Sequence, residues 1–599
     1  VPIDTPEGAL PTPPRWDLGD LYQNDGDPRI AATLDAVKQG AEAFAARYRG
    51  QVATLEPAAL AEALTEYERL NQEAARPMAF VNLRFSTDAT PEVGALLQKT
   101  RERLTDATLP LLFFDLELTR IPAERLAELS ENPALARYRH YLRNAAERAP
   151  FKLSEPEERV LEEQANTGRR AFVRLFEEIT ANQRFAVEGH ETPVTLSEAL
   201  DLQSHPDREV RRRAAEGLTA GLEGQARTIA FLFNTLMQDK ATEDRLRGFA
   251  YQEQSRHLAN EMTPEVVETI VSTAVEGYPL VERFYKAKRR VLGLDELFHY
   301  DRYAPLAKEE RAIPYDAARD RCLSAFAGFH PEYADAAKAF FDGGWIDAEP
   351  RPGKRGGAFC SYVTPDVHPY IFLNYLNKQG DVRTLAHELG HGIHTLLARE
   401  QGFFSFHSTL PIAEVASTFA EQLVFERARQ ETTEPAARLA MFGEQVEQAI
   451  ATIFRQAALY RFEQAIHRER REKGELTVAR FGELWQENVG AMFGDAVTLG
   501  PGHALWWTYV RHFVATPFYV YAYTAGEMLA LSLFRLYQQD TAGEFAPRYV
   551  ALLRAGGSKS PEELFAPLGV DLTDRAFWRG ALEVLEAQVA EFERLAENI

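Results

Sequence analysis

The stretch His387-Glu388-Leu389-Gly390-His391 restricts the conformations open to this 599-residue chain more than any other. Two histidines four positions apart converge on one side only where the backbone between them is helical, and Glu388 then projects beside them. The flanks keep the same period. Thr384, His387, Glu388, His391 and His394 or Thr395 make one polar stripe, and Val382, Leu385, Ala386, Leu389, Ile393, Leu396 and Leu397 cover the reverse side. Asp381 stands where a helix N-cap is wanted. A helix patterned in this way is expected to be buried, with its polar stripe lining a cavity. Gly390 and Gly392 each cost a helix about 1 kcal/mol relative to Ala, a penalty tolerated where another backbone comes close, so a second element is expected against it.

H-E-x-x-H on a helix is a way of holding zinc through two imidazoles while the glutamate serves as general base for water. A catalytic zinc needs a third protein ligand and one open position. The pattern H-E-x-x-H-x-x-G-x-x-H is excluded, because position 394 is His rather than Gly and position 397 is Leu rather than His. A carboxylate on a following helix is the other common answer. Residues 409–421 open such a helix, with Ser408 or Thr409 as cap and Pro411 in the first turn. Glu414 is the candidate ligand there. Ala413, Ala416, Ser417 and Ala420 give a small-residue face that would press against Gly390 and Gly392 and bring Glu414 to the metal. Glu421 lies seven residues on, shares the face of Glu414, and is read as an acceptor for a ligand imidazole N–H.

A chain of this length exceeds one ordinary core, so two or more lobes are expected. The formal net charge of −22 argues against nucleic acid or an anionic membrane as partner. No apolar run approaches a membrane span, and the N-terminus lacks a signal pattern. The two cysteines, Cys322 and Cys360, are read as reduced thiols, which suits a cytoplasmic protein. Amphipathic helices are expected over 30–49, 57–73, 91–119, 154–180, 207–245, 264–292 and 575–596, with a hairpin near 184–196. The segment 368–375 reads as a strand, which with the glycine-containing stretch at Gly356 and Gly357 predicts a small sheet.

DVRTLAHELGHGIH at 381–394 and PIAEVASTFAE at 411–421 resemble the M3 family of zinc metallopeptidases, and within it the oligoendopeptidase F subgroup. The resemblance extends to WDL and DLY near the N-terminus, to YDRYAP at 300–305 and to GGSKSP at 556–561. It implies a mainly α, helical, two-lobed, zincin-like metallopeptidase with a deep channel and a small β-sheet beside the active site. Residues 1–185 would form an N-terminal helical lobe walling the channel, and residues 186–599 the catalytic domain. The resemblance assigns His387, His391 and Glu414 as ligands of one zinc ion and Glu388 as base. It also places a His and tyrosines near the C-terminus as oxyanion donors: His512 and Tyr523 are favoured, with Tyr519 and Tyr521 as competitors. Gly356, Gly357 and Phe359 would offer sheet-edge backbone to an extended peptide. The expected activity is internal cleavage of short, unstructured oligopeptides. A zinc carboxypeptidase of a related helical family and a non-catalytic peptide-binding protein are the alternatives.

Overall fold

The computed structural model describes residues 12–306 and 312–598. Helices account for 72% of the described residues, so the fold is mainly α as expected. Two compact units interleave in sequence. The first takes Val1–Pro150, Glu310–Glu431 and Leu536–Asp571, and the second takes Phe151–Glu309, Thr432–Arg535 and Leu572–Ile599. Residues 1–185 therefore contribute to both units.

In the first unit, helices Pro28–Tyr48, Pro57–Thr87 and Pro91–Thr108 each begin with a proline, whose missing N–H costs nothing in a first turn. The second of them continues past the expected end at Glu73 and carries Pro77 in its interior. The helix expected over 91–119 is broken instead: a 3₁₀ turn at Leu109–Leu111 separates Pro91–Thr108 from Leu112–Leu118, because Pro110 supplies no N–H and clashes with the preceding turn. Phe44, Tyr67 and Phe114 pack into one buried cluster, with the Tyr67 and Phe114 ring centroids 4.7 Å apart.

Three short strands make the sheet of this unit: β1 (Ile346–Asp347), β2 (Phe359–Ser361) and β3 (Tyr370–Phe372), in the order β1-β3-β2. β3 is central and fully buried; it runs parallel to β1 and antiparallel to β2, with Phe359 opposite Phe372 and Ser361 opposite Tyr370. Lys354 fastens the loop before β2 to this sheet. Its ammonium is fully buried, pairs with Asp347 at 2.6 Å and donates to the carbonyls of Asp347, Glu349 and Leu373. Both β2 and β3 pack on the helix Gln379–Ala398, the motif helix, which in turn packs on the helix Leu410–Glu431.

The second unit is built on the 40-residue helix Arg208–Arg247, ended by Gly248 in the left-handed conformation. The helix expected over 264–292 divides into Pro264–Glu276 and Tyr278–Val291 at Gly277, where Pro279 starts the second piece. The one expected over 154–180 divides at Gly168 into Glu155–Thr167 and Arg169–Asn182. Of the hairpin expected near 184–196, one bridge is formed, between Phe185 and Val194. Both cysteines are free thiols. No described helix is long and apolar enough to cross a membrane.

Candidate active site

The motif helix lies against Leu410–Glu431 at a distance that only a glycine permits. A Cβ on Gly390 would overlap the carbonyl oxygen of Ala416 and stand 2.6 Å from the Cα of Ser417. The expected small-residue face is therefore real at Ala416 and Ser417. Gly392 differs from expectation: it faces the ring of Phe340, on the helix Pro331–Asp342, rather than the partner helix. Asp381 also differs. The helix begins at Gln379, so Asp381 sits inside the first turn, where its carboxylate accepts from the backbone N–H groups of Leu376 at 2.6 Å and Lys378 at 2.9 Å. Neither the Ser408 nor the Thr409 hydroxyl makes the capping bond expected of it.

Close packing brings three side chains together. Candidate ligand atoms of His387, His391 and Glu414 all lie within 4.8 Å of one another. Glu414 Oε2 is 3.5 Å from His387 Nε2 and 3.9 Å from His391 Nε2. These separations are long for direct hydrogen bonds, and near the roughly 3.3 Å that separates ligands placed tetrahedrally about 2.0 Å from one zinc. The donor set of two imidazoles and a carboxylate fits zinc chemically as well.

Each of these groups is held from behind. His387 Nδ1 donates to Glu421 Oε1 at 2.5 Å. The Tyr362 hydroxyl lies 3.3 Å from His391 Nδ1, and its ring packs 4.7 Å from that of His407. Ser417 Oγ donates to Glu414 Oε2 at 3.2 Å. Tyr362 was not evident from the sequence, because it sits just past β2 in a segment that carries no periodic signal. His394, on the same stripe, is buried outside the ligand group and its Nε2 has no partner among the described residues.

Glu388 is buried beside this cluster, and its Oε2 has no hydrogen-bond partner among the described residues. Burial raises its pKa to about 7, against the opposing charge of His387. Burial lowers His387, but the bond to Glu421 and the charges of Glu421, Glu388 and Glu414 outweigh it and carry the imidazole up to about 9. His391 is held well below its ordinary value by burial and by the charges of His387 and His394. Burial also raises Glu414. A cation among these three acids and two imidazoles would favour neutral imidazoles and ionised carboxylates.

β2 is an edge strand of the sheet. The Phe359 ring stacks on Phe372 at 4.8 Å, so it belongs to the packing of the sheet. Gly357 has φ +87°, and a Cβ built on Gly356 or Gly357 would meet nothing within 4 Å.

In the second unit His512, Tyr519 and Tyr523 form one cluster. Tyr523 Oη is 3.4 Å from His512 Nε2, the Tyr519 ring lies nearly parallel to His512 at 5.7 Å, and the two tyrosine rings are 5.3 Å apart. Tyr521 points elsewhere: it is fully buried and its hydroxyl accepts from Asn260 Nδ2 at 2.9 Å.

The profile described as peptidase family M3 matches residues 201–584, and that described as oligopeptidase F matches residues 117–185. The chain belongs to peptidase family M3. The M3 chain is 26% identical to oligopeptidase PepF of Bacillus subtilis over 98% of its own length and 87% of the relative's. It shares its fold with a crystallised chain from Chlamydophila abortus (TM-score 0.85, 23% identity, 97% and 98% of the two chains covered). A further structural match is oligoendopeptidase-F from Enterococcus faecium (TM-score 0.70, 21% identity, 95% and 98% covered). This M3 protein is a metalloendopeptidase, and its family implies a metal cofactor.

Proposed function

We propose that this M3 peptidase is a zinc-dependent endopeptidase of short, unstructured oligopeptides, with His387, His391 and Glu414 holding the metal. The observation that carries this reading is the convergence of His387 Nε2, His391 Nε2 and Glu414 Oε2 beside the unpartnered carboxylate oxygen of Glu388. Zinc held by these three residues would supply Lewis acidity and would lower the pKa of water toward about 7. Glu388, buried beside the cluster with one oxygen unpartnered among the described residues, takes the proton of the attacking water and returns it to the leaving amine. His512 and Tyr523 stabilise the oxyanion of the tetrahedral intermediate. Their side chains already adjoin one another, whereas the hydroxyl of Tyr521 is committed to Asn260. The free edge of β2, after the open turn at Gly356 and Gly357, aligns the peptide backbone as an added strand.

Support for oligopeptides comes from the Bacillus subtilis relative, which is named an oligopeptidase. The free thiols of Cys322 and Cys360 suit a reducing, cytoplasmic setting. The deciding experiment maps products by mass spectrometry from a pool of random peptides and from a stably folded protein. Internal cuts in the peptides, with the folded protein intact, are expected. Release of C-terminal residues alone would make the protein a carboxypeptidase instead.

A further inference from the structure

The segment that joins the helix His512–Ala515 to the helix Tyr521–Gln539 turns at Phe518, which has φ +58°. That conformation brings a Cβ against the backbone and is unfavourable for a phenylalanine, so something must hold it. Three contacts do. The Phe518 ring is fully buried, 4.6 Å from His467 and 6.2 Å from Tyr460. Arg256 Nε donates to the carbonyl of Pro517 at 3.3 Å, with its guanidinium over the Tyr519 ring. The third is a carboxyl: Glu463, on the helix Arg455–Lys473, accepts the backbone N–H of Phe518 at 2.8 Å.

Glu463 is 0% exposed, and among the described residues it makes no ion pair and its Oε2 has no hydrogen-bond partner. A buried carboxyl with a single bond is costly, and an apolar side chain of similar size would fill the space at less cost. What an apolar side chain could not do is bind the Phe518 N–H. We propose that Glu463 is a positioning residue: by tethering Phe518 in its left-handed conformation it sets the direction in which Tyr519 leaves the turn and the start of the helix carrying Tyr523, and so aligns both with His512. This rests on reading His512 and Tyr523 as oxyanion donors. Burial raises Glu463 to about 8, so it is mostly neutral at pH 7, and an uncharged glutamine reproduces the acceptor oxygen.

The test uses Glu463→Leu, Glu463→Asp and Glu463→Gln in the full, zinc-loaded chain. A misplacement of about 1 Å in catalytic groups costs roughly 10²-fold. The leucine variant, and the aspartate variant whose carboxyl falls one methylene short, should lose about 10- to 100-fold in kcat with KM within about 3-fold and zinc content unchanged. Glu463→Gln should keep kcat within about 3-fold, because the tether survives. In a Tyr523→Phe background Glu463→Leu should cost far less than in the wild type, since the hydroxyl it misplaces is already gone. Should Glu463→Leu fail to fold, the aspartate and glutamine variants carry the comparison. Wild-type kcat in Glu463→Asp, a Glu463→Gln variant as slow as the aspartate, or full additivity with Tyr523→Phe would overturn the proposal. Failure of the underlying reading has its own signature, an unchanged kcat in Tyr523→Phe and His512→Ala alone, and that outcome would overturn the proposal as well.

Discussion

His387 Nδ1 and Glu421 Oε1 stand 2.5 Å apart across the interface of the two packed helices. A carboxylate there fixes the imidazole tautomer, leaving the Nε2 lone pair turned toward Glu414 and raising its basicity as a ligand. Glu421→Ala should therefore weaken metal binding about 10- to 100-fold although Glu421 touches no metal. Competition with a chelator measures this, and wild-type affinity would count against the role.

Glu388→Gln should retain zinc and bind peptide, yet lose several orders of magnitude in kcat, because an amide cannot accept the proton of water. Steady-state kinetics on a metal-loaded sample checks it; near-normal turnover would rule out Glu388 as the base.

Tyr523→Phe and His512→Ala should each lower kcat by about 10²- to 10³-fold with smaller changes in KM, since the charge they meet develops in the transition state. A slow Tyr519→Phe beside a normal Tyr523→Phe would move the role to Tyr519, which shares the cluster.

Gly390→Ala places a methyl group against the Ala416 carbonyl and the Ser417 Cα, and backbone is the least able to give way. Destabilisation of about 1–3 kcal/mol is expected, with weaker metal binding as Glu414 moves off. Gly356→Ala, which meets open space, is the control in thermal melts.

Acid should loosen the second unit before its carboxylates titrate. Burial holds His257 and His299 down at about 4, and His467 and His503 well below their ordinary value. Each stays neutral in the fold but takes a proton when unfolded near pH 6.5, so stability is full above that pH and falls as pH drops toward about 4. Glu463, raised to about 8, and Glu447 and Asp239, which burial also raises, act in the opposite sense, so the decline measures the excess of the histidines over these three carboxyls. Urea midpoints at pH 7.5, 6 and 5 should decline in that order; a flat profile would contradict it.

Much of the candidate metal site was legible because the helical period forces neighbours into place. His387 and His391 needed only local geometry, and the glycine at 390 announced a backbone contact before the partner helix was known. Tyr362 was illegible because it reaches His391 from the irregular segment after β2, and no period links such a segment to a helix. Gly392 misled for a related reason: a glycine signals close approach without saying by what, and here the neighbour is the ring of Phe340. Helix lengths failed where local rules compete. Pro77 sits inside a continuous helix while Pro110 ends one, and tertiary packing, which single-chain patterns do not encode, decides between the two.

The interleaving of the two units has a consequence for how the chain is made. The helices that carry His387, His391 and Glu414 share a unit with residues 1–150 and with 536–571, so this unit closes only once residue 571 has been made and all three segments have met. The other closes still later, with the helix Arg575–Ala596. Long sequence separations of this kind slow folding and prolong exposure of apolar helix faces. A chain stopped short of residue 536 therefore carries both motif histidines without the last segment of the unit that surrounds them.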